Sequence, residues 1–285
     1  MKGRYVFHPP FCFLVRAALL LALSAGMTVS AQPNVQTIIQ RSVEANERDW
    51  KADPEYNCSE RDVKDGVSKT HRVLMIEGSP YYRLTEINGQ LLPEADQAKE
   101  ERKLQQAIAE RKRESPQQRA ARRAQYERDR TRDHLLMEQL TQAFNFTPTG
   151  EQKLGPYDVY VLQATPRHGY VPPNRDTKVL TGMSGTLWID KQTYQWVKVE
   201  AHVIHPVSIE GFLARVEPGT QFELEKVPVG NGVWLPKRFA MKAHAKVLGL
   251  FSHKTQEEDT YWNYQKEASS SEGIQQSLND GESAK

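Results

Sequence analysis

Cysteine is scarce, with two in 285 residues, Cys12 and Cys58. Neither a disulfide-stapled scaffold nor a four-cysteine zinc site can be assembled from so few thiols. Charge of one sign is also missing: 38 Lys and Arg face 36 Asp and Glu, a formal +2. With 38% hydrophobic and 26% charged residues and a mean hydropathy of -0.67, the chain is too polar for a multi-span membrane protein. Catalytic signatures are absent as well. There is no P-loop, no glycine-rich dinucleotide fingerprint and no H-E-x-x-H. Gly182-Met183-Ser184-Gly185 lacks the G-x-S-x-G spacing and precedes a strand pattern, so it reads as a turn. His202 and His205 are three apart, which on a strand sends them to opposite faces, away from a shared metal. No enzyme, cofactor or metal site is expected.

The N-terminus carries an export signal over residues 1–31. Lys2, Arg4 and Arg16 supply positive charge, Ala17 to Leu23 a short apolar stretch, and Val29-Ser30-Ala31 the small residues for cleavage after Ala31. That stretch falls far short of the ~20 residues needed to span a bilayer. No cysteine follows it, so N-terminal acylation is not indicated, and the mature chain is expected in the periplasm. Cys58 then remains alone and reads as a small apolar strand residue. Loss of Lys2, Arg4 and Arg16 leaves 35 basic against 36 acidic residues.

Val35, Ile38, Ile39 and Val43 share one face of a helix ending before Asp53-Pro54. From Tyr56 to Ile87 the pattern is strand-like, broken at Asp65-Gly66 and Gly78-Ser79-Pro80, and Asn88-Gly89 is a two-residue hairpin signal. Residues 94–134 are different: twelve basic and nine acidic residues, a local +3, among helix formers interrupted at Ser115-Pro116. With Leu104 and Ile108 nearly the only large aliphatics, the segment reads as a solvated helical hairpin whose second helix opens at Pro116. Leu135, Leu136, Leu140 and Phe144 return to an apolar helical face. From Gly150 to Tyr264 antiparallel strands follow one another. Val197, Val199, Ala201 and Val203 alternate with Trp196, Lys198, Glu200 and His202, and turns fall at Asp190-Lys191-Gln192, Pro218-Gly219 and Gly230-Asn231-Gly232. Residues 266–285 are rich in Ser, Glu, Gly and Gln and read as a disordered tail.

Trp188, Trp196, Trp234, Phe239, Phe251, Tyr261 and Trp262 fall on strands of one sheet. A sheet curled over a single helix encloses more space than that helix fills, which argues for an apolar cavity. The segments Gly185-Thr186-Leu187-Trp188-Ile189-Asp190, Tyr194-Gln195-Trp196-Val197-Lys198-Val199-Glu200 and Gly232-Val233-Trp234-Leu235-Pro236-Lys237, behind a secretory signal and one amphipathic helix, resemble the LolA/LolB lipoprotein carriers. The resemblance covers residues 35 to 264, with 94–134 as an insertion. It implies an α+β fold, an antiparallel sheet curved into an unclosed half-barrel covered by helices over residues 32–265. It also implies a periplasmic carrier holding the acyl chains of a lipoprotein or another lipid, with no catalytic groups. Leu187, Ile189, Val197, Val199, Phe222, Leu224, Trp234 and Phe239 are the expected ligand-binding residues. The alternative is an envelope stress sensor or scaffold binding a protein, with residues 94–134 as the docking arm to a membrane-protein partner. Nucleic acid is not an expected partner.

Overall fold

The computed structural model describes residues 34–209, 214–247 and 251–266. The expected export signal and all of the expected tail beyond Lys266 lie outside the described residues.

Helix α1 (Val35–Ala52) starts where Asn34 caps it, its Oδ1 accepting the Thr37 N–H at 2.8 Å, and stops at a 3-10 turn, Asp53–Glu55, built on Pro54. Strands β1 (Tyr56–Lys64), β2 (Val67–Ile76), β3 (Ser79–Ile87) and β4 (Gln90–Leu91) then form an antiparallel meander. At its last turn Asn88 and Gly89 both take left-handed φ angles, 52° and 73°, as a primed hairpin turn requires. Helices α2 (Glu94–Arg113), α3 (Pro116–Glu138) and α4 (Leu140–Ala143) follow. Ser115 and Gln118 form a reciprocal capping box at the start of α3, with Pro116 just inside, where the lost N–H costs nothing.

The remaining strands are β5 (Phe144–Leu154), β6 (Tyr157–Pro166), β7 (Met183–Asp190), β8 (Trp196–Val203), β9 (Val207–Ser208), β10 (Ala214–Val216), β11 (Gln221–Gly230), β12 (Val233–Val247) and β13 (Phe251–Lys266). Phe144, expected on a helical face, instead opens β5 and is buried there. Along the sheet the order is β4-β3-β2-β1-β13-β12-β11-β8-β7-β6-β5, and the paired strands run antiparallel. The first strand therefore pairs with the last, Tyr56 opposite Lys266. The two edges left open, β4 and β5, are consecutive strands in sequence. Residues 94–143 are thus the connection between the free edges of an unclosed sheet.

One face of that sheet wraps the N-terminal half of α1. Ile38 and Ile39 pack with Leu162, Leu187, Ile189, Trp196 and Val203, and Val199, Phe222 and Leu224 join the edge of the same cluster. The expected strict alternation in β8 fails at its start. Trp188 pairs with Lys198 but Ile189 pairs with Trp196, so Val197 is the extra residue of a β-bulge. Trp196 consequently joins the α1 core, and Val197 goes to a separate cluster with Val159 and Trp234.

The helical hairpin is not the solvated arm that its composition suggests. Leu104 is fully buried against Leu74 and Ile76, with Ile108 and Tyr81 beside them. Arginines clamp the β2–β3 turn. Arg111 donates to the carbonyls of Ile76, Ser79 and Pro80 at 3.0, 2.8 and 3.0 Å. Arg122 reaches the Glu77 carbonyl and the Ser79 hydroxyl while its fork holds Glu114 at 2.6 and 2.7 Å, and Arg123 also donates to the Glu77 carbonyl. Turn carbonyls need donors, and a guanidinium supplies several in one plane. The turn itself falls at Glu77-Gly78, one residue earlier than the sequence suggests. Gly78 takes a left-handed φ of 80°, which favours glycine, and a Cβ there would lie 2.5 Å from the Arg123 Nε, so a larger residue would also displace that part of the clamp.

Candidate functional site

The C-terminal half of α1 is buried through polar groups. Ser42, Asn46 and Asp49 continue, at helical spacing, the stripe begun by Ile38 and Ile39, and all three are buried. Ser42 Oγ accepts the Trp196 indole N–H at 3.2 Å. Asp49 accepts three donors from distant parts of the chain: the Trp234 N–H at 3.0 Å, Gln195 Nε2 at 3.1 Å and Lys226 Nζ at 2.6 Å. Lys226 also donates to Asn46 Oδ1 at 2.9 Å. Asp49 and Lys226 are 3% and 7% exposed, so this is a buried ion pair with its remaining acceptors occupied. Burial pushes the Lys226 ammonium down from its ordinary pKa, and the charge of Asp49 opposes that shift.

Above this seam lies a cavity of about 430 Å³, between α1, α3 and strands β11 to β13. Leu224, Trp234, Leu235, Pro236, Phe239 and Tyr261 form its sheet wall, Met137 its α3 wall, and Asn46, Asp49 and Lys226 its polar floor. Its size falls within the roughly 300–1,000 Å³ usual for ligand sites. α3 is fastened to α1 beside it. The His134 ring stacks on Trp50 with centroids 4.3 Å apart, and its Nε2 lies 2.8 Å from Glu47 Oε2. The Arg130 guanidinium sits 4.6 Å over the same indole and donates to the Trp50 carbonyl. Asp53, also in the lining, has its carboxyl pushed up by burial, against the charges of Arg130 and Lys226. A larger and more open groove of about 640 Å³ lies along β13, between Arg61, Lys237 and Trp262, lined among the described residues by strands alone.

Of the residues expected to bind ligand, Leu224, Trp234 and Phe239 line the helix-covered cavity. Leu187 and Ile189 are buried against α1, Val199 and Phe222 flank that core, and Val197 is on the other cluster. The sequence reading missed Asp49, Lys226, Trp50, Arg130 and His134. The polar continuation of the α1 stripe at Ser42, Asn46 and Asp49 was the signal for the first of these. Nothing local marked the others.

Beyond the cavity, β1 and β13 bring acids together. Among the described residues, Asp62, Glu257 and Asp259 place a carboxylate oxygen each within 4.8 Å of the others. Burial first, then the charges of Asp62 and Glu257, push Asp259 up to about 6. Burial, with Asp259 as the next cause, pushes Glu60 up to about 7. Both carboxyls hold protons in the folded state at pH values where the unfolded chain has lost them. Their contribution is present below about pH 4 and is lost as pH rises through about 6 to 7. Glu60→Gln is therefore expected to raise stability at pH 8 by on the order of 1 kcal/mol after solvent screening, and to leave it unchanged at pH 4. Urea denaturation at the two pH values checks this, and an equal effect at both would refute it.

An open antiparallel sheet wrapped on one helix, with a second helix beside a cavity of apolar walls and polar floor, defines an α+β fold. No family model matches the sequence, and no curated protein does. Among solved structures, the chain is similar to a LolA superfamily protein from Nitrosomonas europaea, at 12% identity and a TM-score of 0.32, covering 85% of this chain and 97% of that one. It is similar to an outer membrane lipoprotein-sorting protein domain from Vibrio parahaemolyticus, at 10% identity and a TM-score of 0.31, covering 84% and 98%. A DUF1329 family protein from Desulfovibrio piger matches at 8% identity and a TM-score of 0.31, covering 85% and 97%.

Proposed function

We propose that this chain is a periplasmic carrier that holds the acyl chain of a lipid or lipoprotein between α1, α3 and strands β11 to β13. The observation that carries the reading is the helix-covered cavity walled by Leu224, Trp234, Leu235, Phe239 and Met137. Moving an acyl chain from water into such a space gains about 0.8 kcal/mol per buried methylene, so the task needs apolar area and exclusion of water rather than an acid, a base or a nucleophile. The export signal read at residues 1–31 supports a periplasmic site of action.

Phe239 is half-buried on the cavity wall, so a charge there should cost binding more than folding. Phe239→Asp is expected to weaken uptake of a fluorescent acyl lipid by delipidated protein at least about tenfold while thermal unfolding stays cooperative. Wild-type affinity in that variant would remove the cavity from the carrier reading, and a wild-type protein that binds no acyl lipid would end the reading itself.

A further inference from the structure

The cavity is apolar on its walls but not on its floor, and the floor restricts what can lie on it. Lys226 lines the cavity and is 7% exposed. An ammonium carries three donors. Asp49 Oδ2 and Asn46 Oδ1 accept two of them, and among the described residues no third acceptor lies within hydrogen-bonding distance. Two of the neighbouring polar groups are committed elsewhere: the Asn46 amide donates to the Ser42 carbonyl at 2.8 Å, and Asp49 Oδ1 is occupied by Gln195 and Trp234, while the buried Gln195 Oε1 accepts no hydrogen bond, from Lys226 or from any other described residue. The floor therefore offers a cavity occupant a donor, and it is one belonging to a buried cation, where such a bond is strong.

The charge balance limits the occupant further. Two carboxyls, Asp49 and Asp53, border the same cavity as the single ammonium, with Arg130 and His134 on the α3 side. Arg130 is already engaged by Glu127 and by the Trp50 ring and carbonyl, and His134 by Glu47. An anionic head group would sit beside Asp49, and each cation of the described lining, Lys226, Arg130 and His134, already faces an acidic partner, whereas a neutral acceptor brings no charge into the site.

We infer that the ligand is a neutral acyl ester whose carbonyl oxygen accepts a hydrogen bond from Lys226 at the cavity floor, with its hydrocarbon against Leu224, Trp234 and Phe239. This rests on the acyl-carrier reading above and adds the chemical class of the polar end. A chain ending in a carboxylate, or lacking the carbonyl, fits the same walls but not the same floor.

Three probes with the same sixteen-carbon chain separate the two statements: monopalmitoylglycerol, its ether analogue 1-O-hexadecylglycerol, and palmitate. Each is titrated into the delipidated full-length protein in competition with a fluorescent acyl lipid. The ester is expected to bind about tenfold more tightly than the ether, which lacks only the carbonyl, and more tightly than palmitate. Infrared spectra of the ¹³C-carbonyl ester should show its stretch moved to lower frequency on binding to the wild-type protein. In Lys226→Met combined with Asp49→Asn, which leaves no unmatched charge, the ester-to-ether ratio should fall to about one. Equal binding of ester and ether with an unshifted carbonyl, or tightest binding of palmitate, overturns the inference and leaves the carrier reading standing. Failure of all three probes to bind overturns both. The infrared measurement decides the matter even where the double variant does not fold.

Discussion

Asp49→Ala is expected to lower the unfolding free energy by about 3–5 kcal/mol, the usual cost of removing one partner of a buried ion pair. The size follows from what is stranded. Lys226 would keep only Asn46 as an acceptor while remaining 7% exposed, and Gln195 and the Trp234 backbone N–H would lose theirs. The loss is also structural, because Asp49 joins α1 to β11, β12 and the residue preceding β8. Replacing both charges, as Asp49→Leu with Lys226→Met, should recover at least half of the deficit, since no buried charge is then left unmatched. Urea titration of the single and double variants measures both. A single variant within about 1 kcal/mol of wild type would mean that the pair contributes no more than an exposed one.

Leu104→Asp should have a comparable effect on a smaller part of the molecule. Leu104 is fully buried between α2 and β2, and a carboxylate there has no partner. Truncation of such a leucine alone costs about 2–5 kcal/mol, and burying a charge costs more. Undocking α2 lets the site escape that cost, so the expected result is local: α2 and α3 detach while the α1 core persists. Trypsin is the direct probe, since the hairpin carries twelve of the chain's basic residues. Rapid cleavage confined to residues 94–134, with slow amide exchange retained in β6 to β8, is the anticipated pattern. Wild-type protease resistance would show that the hairpin is held by the arginine clamp alone.

These two residues differ in how visible they are in the sequence. Helix α1, the Asn88-Gly89 turn and the start of α3 at Pro116 are encoded within a few neighbouring residues, by helical spacing, by left-handed φ preference and by a ring that suits the first helical turn. Each was legible without the fold. Leu104 was noticed as a rare aliphatic but misjudged, because a single leucine among charges gives no periodic stripe. The arginines around it read as solvated charge until their carbonyl acceptors in the β2–β3 turn came into place. The bulge at Val197 escaped for another reason: alternation in β8 looks unbroken, and only its pairing with β7 shows the extra residue.

By itself, the sequence of this protein determined most of its local elements and its antiparallel character. Those properties depend on side-chain type and on spacings of two to four residues. Only the tertiary structure decided that β1 closes on β13, that the charged segment bridges the sheet's two free edges, and that Asp49 meets Lys226 from 177 residues away. Contacts at such separation leave no periodic trace, because a buried charge is acceptable only once its partner has arrived, and nothing near Asp49 in the chain announces that partner.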